Sequence, residues 1–137
     1  MSLLKIFDVA GSGMAAQSAR LNTTASNMAN ADSIASSEAG AYHAKQPLFS
    51  AVQQQVNGQM ETGGVRTLGI TESQAPIQAR YEPSNPLADA NGNVYSSNVN
   101  TVDELVNMIS ASRSYQNNVE VMNSAKQLMQ KTLDLGK

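Results

Sequence analysis

Cysteine is absent from the chain, which excludes disulfide scaffolds, thiolate nucleophiles and zinc sites built on cysteine. The single histidine, His43, excludes any site that needs two imidazoles from one chain. Tryptophan is also missing, and two phenylalanines and four tyrosines provide few large side chains for a core. Only 15% of the residues are charged, nine basic and eleven acidic, so the basic surface typical of nucleic-acid binders is not expected.

Long apolar runs are missing as well. No stretch approaches the ~20 apolar residues of a membrane span. The first residues, MSLLKIFDVAGSG, lack the basic segment and apolar run typical of a cleaved signal peptide. We therefore expect a protein that stays in the cytosol, or one that leaves the cell by a route that cleaves no signal peptide.

Small polar residues are abundant instead. Serine, asparagine and glutamine account for 40 of the 137 residues, and much of the 41% hydrophobic fraction is alanine. Such a chain has little apolar bulk with which to stabilise a core of its own. We expect partner chains to complete part of the fold.

Proline and glycine divide the chain into three parts. All four prolines and six of the nine glycines lie between residues 40 and 98. Because proline disrupts helix interiors, the pattern predicts an N-terminal helix in 1–31, an extended or β segment in 32–98 and a C-terminal helix in 99–137. The predicted fold is mainly α, with two long terminal helices paired as a coiled-coil-like hairpin and a short β-hairpin or extended domain between them.

The C-terminal helix has the clearest pattern. Thr101 and Glu104 match a capping box, and Gly136 is a plausible stop. A helix of about 33 residues is ~50 Å long and needs another long helix beside it. Residues alternate at steps of three and four, as in a coiled-coil seam with soft spots: Leu105, Met108, Ser112, Tyr115, Val119, Met122, either Ala125 or Lys126, Met129 and Leu133. A second apolar set widens this stripe near its start: Val102, Val106 and Ile109.

The N-terminal helix offers a matching seam with smaller residues between its large ones. The large members recur every seven residues: Phe7, Met14, Leu21 and Met28. Gly11 and Gly13 each lower helix stability by ~1 kcal/mol relative to alanine. We expect this helix to be marginal in the isolated chain. The two seams together are the predicted subunit-packing residues.

The middle part predicts short strands and turns. Gly63-Gly64 precedes VRTLGIT, and Pro76 separates that run from IQARY, which predicts a strand pair between the two runs. Asn91-Gly92 predicts a hairpin turn. Residues 32–60 are expected to form an extended surface segment.

Motifs of catalysis and ligand binding are weak. Residues 11–16 fit G-x-G-x-x-A, but no second apolar strand follows, so two small residues in a helix are the better interpretation. Asp89, Asn91 and Asn93 have the first three spacings of a calcium loop but lack its glycine and final glutamate. His43 has no acid at a defined spacing, so a surface or packing role is favoured over that of a general base. We predict no catalytic residue, no metal site and no cofactor.

Several blocks resemble a known family, the flagellar basal-body rod proteins. The N-terminal block SGMAAQSARLNTTASNMANADS is similar to the signature of rod and hook axial proteins. The blocks AYHAKQPLF, YEPSNPLADANGNVY and NVNTVDELVNMISASRSYQNNVEVMNSAKQLMQKTLDLG resemble the proximal-rod member of that family. Two positions depart from the family pattern, Ser97 where proline is common and His43 where a basic residue is more usual. Both concern local loops.

The resemblance implies a structural subunit of a helical tube that crosses the periplasm as a drive shaft. The terminal helices would pair and line the inner layer of the tube. The implied partners are other rod proteins, copies of this chain, the adaptor at the rod base and the flagellar export apparatus, which would pass the chain unfolded without cleaving a signal peptide. The alternatives are an axial protein at another rod or hook position, a soluble helical adaptor or export chaperone, and a peptidoglycan-cleaving enzyme.

Overall fold

The fold is described by a computed structural model, which covers residues 3–56 and 59–136. Two long helices, α1 (Leu3–Ala29) and α2 (Thr101–Leu135), lie at the two ends of the chain. Between them are a 3₁₀ turn, Glu38–Gly40, and five strands: β1 (Ile34–Ala35), β2 (Lys45–Val56), β3 (Gln59–Glu72), β4 (Gln78–Tyr81) and β5 (Asn93–Ser96). The predicted fold class, two terminal helices with a small antiparallel β part between them, is confirmed.

The ends of α2 are set by local hydrogen bonds. The N-cap is Asn100, whose Oδ1 accepts the N–H groups of Val102 at 3.0 Å and Asp103 at 3.4 Å. The prediction of Thr101 as the cap was wrong by one residue, because the side chain of Asn100 caps the helix and Thr101 is its first residue. Gly136 ends the helix as predicted, with its N–H donated to the carbonyl of Leu133 at 3.3 Å.

Strands β2 and β3 form one long antiparallel ribbon, from Lys45 opposite Glu72 to Val56 opposite Gln59. The prediction of an extended surface segment over 32–60 is confirmed for β2, which is extended and mostly exposed where its side chains are described, but was wrong for the 3₁₀ turn at Glu38–Gly40. Residues 57 and 58 of that segment lie outside the described residues. The predicted pairing of VRTLGIT with IQARY was also wrong, because VRTLGIT belongs to β3 and pairs with β2, whereas IQARY contributes β4, which pairs with β5. A strand with few apolar residues is stable here because its backbone pairs along its whole length.

The second sheet is small and has the order β1-β5-β4. Its central strand carries Val94, whose side chain is completely buried. The predicted turn at Asn91-Gly92 is confirmed: Gly92 has a φ of +79° and donates its N–H to the carbonyl of Asp89 at 3.0 Å. Glycine suits this left-handed conformation because it has no Cβ.

Helix α1 is the middle layer, with α2 on one side and the β2–β3 ribbon on another. The buried apolar residues are mostly alanines: Ala10, Ala16, Ala41, Ala44, Ala111 and Ala125, with Val94 as the large exception. Many of the larger aliphatic side chains are exposed, which places little apolar bulk inside the chain.

Candidate subunit interface

The two helices approach each other closely where α1 has its glycines, Gly11 and Gly13. A Cβ added to Gly13 would lie 2.8 Å from Nδ2 of Asn118, and one added to Gly11 would lie 3.9 Å from Cε of Met122. Farther along, Nη2 of Arg20 donates to Oδ1 of Asn107 at 2.7 Å. These contacts show that the helices run antiparallel, with small or polar side chains between them.

The row of α2 residues that faces α1 agrees with the predicted seam at some positions and differs from it by one residue at others. Met108, Met122 and Met129 are half-buried, as a seam position requires. The alternate row consists of Ala111, Asn118 and Ala125, of which the two alanines are buried. The expectation that Leu105, Val119 and Leu133 pack against α1 was wrong, because these side chains are exposed and the positions beside the α1 glycines are occupied by Met122 and Asn118.

The structure places the predicted packing residues in two environments. Those on α1 are half-buried: Phe7, Met14, Leu21 and Met28. Those on α2 divide between half-buried methionines and exposed residues, the exposed ones being Leu105, Tyr115, Val119 and Leu133. No contact with another subunit is part of the structure, so their role in subunit packing stays a prediction.

One apolar patch lies on the side of α2 that faces away from α1. It consists of Val102, Leu105, Val106 and Ile109, with exposed fractions of 67, 48, 62 and 47%. At 100° per residue these four positions lie roughly opposite Ala111 and Ala125. We call this set the outer patch. Packing within the chain does not explain this patch.

A buried polar cluster joins α1 to the start of the ribbon. Asn27 is 1% exposed; its Nδ2 donates to the carbonyl of Lys45 at 2.8 Å, and its Oδ1 accepts the Lys45 N–H at 2.8 Å. The Tyr42 hydroxyl donates to the same Oδ1 at 3.0 Å. The burial of Asn27 was not predicted, because an asparagine near a helix end usually indicates fraying rather than burial.

Asn98 forms a second polar junction, between the two sheets and α2. Its Oδ1 accepts the Ala44 N–H at 2.6 Å, and its Nδ2 donates to the carbonyl of Ala75 at 2.8 Å. His43 lies beside it, with Nδ1 3.2 Å from the carbonyl of Ser73. The imidazole therefore contacts the backbone of a loop rather than a carboxylate, which fits the packing role favoured above.

The Asp89 turn uses its carboxylate internally. Oδ1 accepts the N–H groups of Asn91 and Asn93, both at 2.8 Å, and Oδ2 accepts the Tyr95 hydroxyl at 3.2 Å. These bonds, chiefly that from Asn93, lower the pKa of Asp89. The hydrogen bond to the Asp89 carboxylate raises the pKa of the Tyr95 hydroxyl. The residues that suggested a calcium loop therefore form a self-contained turn.

The remaining motifs also have structural explanations. Residues 11–16 lie inside α1, so they lack the strand-turn-helix geometry that a dinucleotide site requires. Across residues 3–56 and 59–136, no three His, Cys, Asp or Glu side chains gather as a metal site would need. Neither α1 nor α2, over its described residues, combines the length and apolarity needed to cross a membrane.

Comparisons with known proteins agree with the resemblance of the sequence blocks. Residues 7–33 match the family model described as "Flagella basal body rod protein", and residues 90–135 match "Flagellar basal body rod FlgEFG protein C-terminal". The chain is 56% identical over 136 residues to the flagellar basal-body rod protein FlgC of Salmonella typhimurium, covering 99% of each chain. Identity is 57% over 136 residues to FlgC of Yersinia enterocolitica and 46% over 138 residues to FlgC of Buchnera aphidicola subsp. Schizaphis graminum, with 99% coverage in both cases. Matches of this extent show that the chain belongs to the FlgC family of flagellar basal-body rod proteins.

Proposed function

We propose that the chain is a structural subunit of the proximal part of the flagellar basal-body rod, held to its neighbours by its terminal helices. Support comes from the relatives, which carry the name of a rod protein and match this chain over nearly their full length. The role is structural rather than enzymatic, as it is in these relatives.

The outer patch is the observation that carries the helix-packing part of the proposal. Four neighbouring aliphatic side chains face away from α1, and a soluble monomer rarely leaves such a cluster uncovered. Covering a half-exposed aliphatic side chain contributes roughly 1 kcal/mol, so the patch favours assembly by several such increments. Neighbouring rod subunits, including copies of this chain, are the proposed cover.

The small core supports the same proposal. Within the chain, α1 and α2 pack through glycines, alanines and asparagines, which bury little area per residue. The remaining predicted packing residues on α2, including Tyr115, Val119 and Leu133, lie at or near the surface and are available to neighbours. A hairpin of this kind gains stability when it is buried by other subunits.

The location and route follow from family membership and remain part of the proposal. The chain would lie in the rod within the periplasm, reach it through the flagellar export apparatus without a cleaved signal peptide, and contact the adaptor at the rod base. The absence of a membrane-crossing helix among the described residues is consistent with a role outside the bilayer.

The test is a complementation experiment in a strain that lacks the corresponding gene. Leu105→Asp places a charge in the outer patch, where the side chain is 48% exposed, so the monomer should fold while assembly fails. Ser110→Asp adds the same charge at an exposed polar position of α2 and is the control. We expect secretion of both variants, motility only with the control, and basal bodies without an extended rod for Leu105→Asp in electron micrographs.

The outcomes separate the proposal from its alternatives. Normal swimming with Leu105→Asp would show that subunit packing does not depend on the outer patch. A complete rod in the deletion strain would contradict the proximal-rod role itself. Retention of the wild-type protein in the cytosol would favour the adaptor or chaperone alternative.

A further inference from the structure

Among the side chains that the structure describes, hydrogen bonds join the β2–β3 ribbon to α1 at two points of unequal strength. At its base, Lys45 makes two backbone hydrogen bonds to the side chain of Asn27, which is 1% exposed. The Tyr42 hydroxyl adds a third bond to the same amide. Opening this junction would break both bonds between Asn27 and Lys45 at once, and each of them contributes to stability.

The second point lies farther along the ribbon and is more accessible. The N–H of Val65 donates to Oγ of Ser12 at 3.1 Å, while Oγ donates to the carbonyl of Val9 at 2.9 Å, and both bonds lie at exposed positions. Opening this junction breaks the bond between Val65 and Ser12, and water can replace it at once.

Close contact at the second point depends on Gly64. This residue is buried and has a φ of +129°. A Cβ added there would collide with Oγ of Ser12 and lie 3.2 Å from its Cβ. Only glycine therefore allows the strand to lie flat on the helix at this point, and any larger residue would lift it.

The distance between the two points is the same on both elements. From Ser12 to Asn27, α1 rises about 22 Å at 1.5 Å per residue. From Val65 to Glu72, which lies opposite Lys45, β3 spans about 23 Å at 3.3 Å per residue. Ala16 and Thr23 lie on the same side of α1 between these points and are 4 and 5% exposed. The ribbon thus covers this side of α1 like a strap.

We propose that Ser12 and Gly64 form a latch, and that the ribbon opens from this end while the Asn27–Lys45 junction remains closed as a hinge. When the latch is closed, the ribbon covers the small-residue side of α1. When it opens, the side of α1 that contains Ala16 is uncovered. The latch thereby regulates whether this side of α1 is accessible, which goes beyond the subunit's proposed role in the rod.

The test uses two pairs of spin labels in the full chain, each attached to introduced cysteines, because the natural sequence has none. One pair, at the exposed positions Ala15 and Thr67, reports on the latch. The other pair, at the exposed positions Asn22 and Glu72, reports on the hinge. Double electron–electron resonance measures the distribution of distances between the two labels of each pair.

Gly64→Ala is the test variant, and Gly69→Ala is its matched control. Both glycines have positive φ values, +129° and +157°, but nothing lies within 4 Å of a Cβ added to Gly69. We expect Gly64→Ala to lengthen and broaden the latch distance while the hinge distance stays unchanged, and Gly69→Ala to change neither.

Ser12→Ala is a second test variant, which removes the hydrogen bond without adding backbone strain. It should shift the latch distance in the same direction by a smaller amount, so the proposal remains testable if Gly64→Ala does not fold. An unchanged latch distance in Ser12→Ala together with an unchanged or unmeasurable one in Gly64→Ala would overturn the latch. Equal changes at both pairs would overturn the hinge, because the ribbon would then be leaving α1 as a whole.

Discussion

Gly13 of α1 lies directly beneath Asn118 of α2, so closely that the amide nitrogen would be 2.8 Å from a Cβ on the glycine. Asn118 is half-buried and belongs to the row of α2 that faces α1. A polar residue at such a position fixes the register of paired helices at some loss of stability. The pair therefore determines which residues of α2 face inward and which are left for other contacts.

The two glycines of α1 should respond differently to alanine. Gly11→Ala should stabilise the chain by up to about 1 kcal/mol, because helix propensity improves and the nearest atom of Met122 is at ordinary contact distance. Gly13→Ala should gain less, because Asn118 must move. Chemical denaturation measures both. In an Asn118→Ala background, Gly13→Ala should stabilise the chain as much as Gly11→Ala does, because the obstructing side chain is gone. Equal effects of Gly11→Ala and Gly13→Ala in the wild-type background would contradict the close approach of Gly13 to Asn118.

Asn27→Ala should be among the most destabilising single changes in α1. It removes three hydrogen bonds and takes away the side-chain partner of both backbone groups of the half-buried Lys45. We expect a loss of about 3 kcal/mol in the free energy of unfolding, measured by denaturant titration. Asn22→Ala, at an exposed position of the same helix, is the control and should change little. Similar values for the two variants would show that the buried cluster contributes nothing specific.

Met122→Asp should fail for a different reason from Leu105→Asp. Met122 is half-buried beside Gly11, so a carboxylate there weakens the helical hairpin of the monomer itself, by at least about 2 kcal/mol. Thermal melting of the purified chain measures this loss. Gln127→Asp adds the same charge at an exposed position of α2 and should leave the melting temperature unchanged. A Met122→Asp monomer as stable as wild type would mean that this position does not support the hairpin.

The Asp89 turn should weaken in acid. Its carboxylate has a lowered pKa because it accepts hydrogen bonds from Asn93 and Asn91 and from the Tyr95 hydroxyl. The stabilisation is complete above the ordinary pKa of an aspartate and disappears as the pH falls through the lowered pKa of the folded state. Amide NMR shifts of Asn91 and Asn93 should report this titration, and Asp89→Asn should abolish it. Shifts that move at the ordinary aspartate pKa would contradict the bonding described here.

The sequence predicted those features of the fold that depend on nearby residues. The two helices, the stop at Gly136 and the turn at Asn91-Gly92 all follow from local periodicity and turn chemistry. The start of α2 was displaced by one residue because Thr101 and Asn100 can both cap a helix.

Features that depend on distant contacts were not predictable from the sequence. The pairing of β2 with β3 was missed because β2 is rich in glutamine and its stability comes from its partner strand. The set of α2 residues that faces α1 was predicted only in part, because it depends on which α1 positions lack side chains. The burial of Asn27 depends on the backbone of Lys45, eighteen residues away. For the candidate interface on α2, the apolar character of the residues was predictable, but which of them face α1 and which face outward was not.

The register of the ribbon has a consequence for how its shape can change. Leu68 has no partner between the pairs Leu48–Gly69 and Phe49–Thr67, so β3 carries an extra residue at a bulge there. Deleting Leu68 would preserve every cross-strand pair yet remove the bend that a bulge introduces. Curvature in this part of the molecule is therefore encoded by the number of residues rather than by their chemistry. A one-residue insertion or deletion can reshape the outside of the subunit while its ladder of hydrogen bonds stays intact.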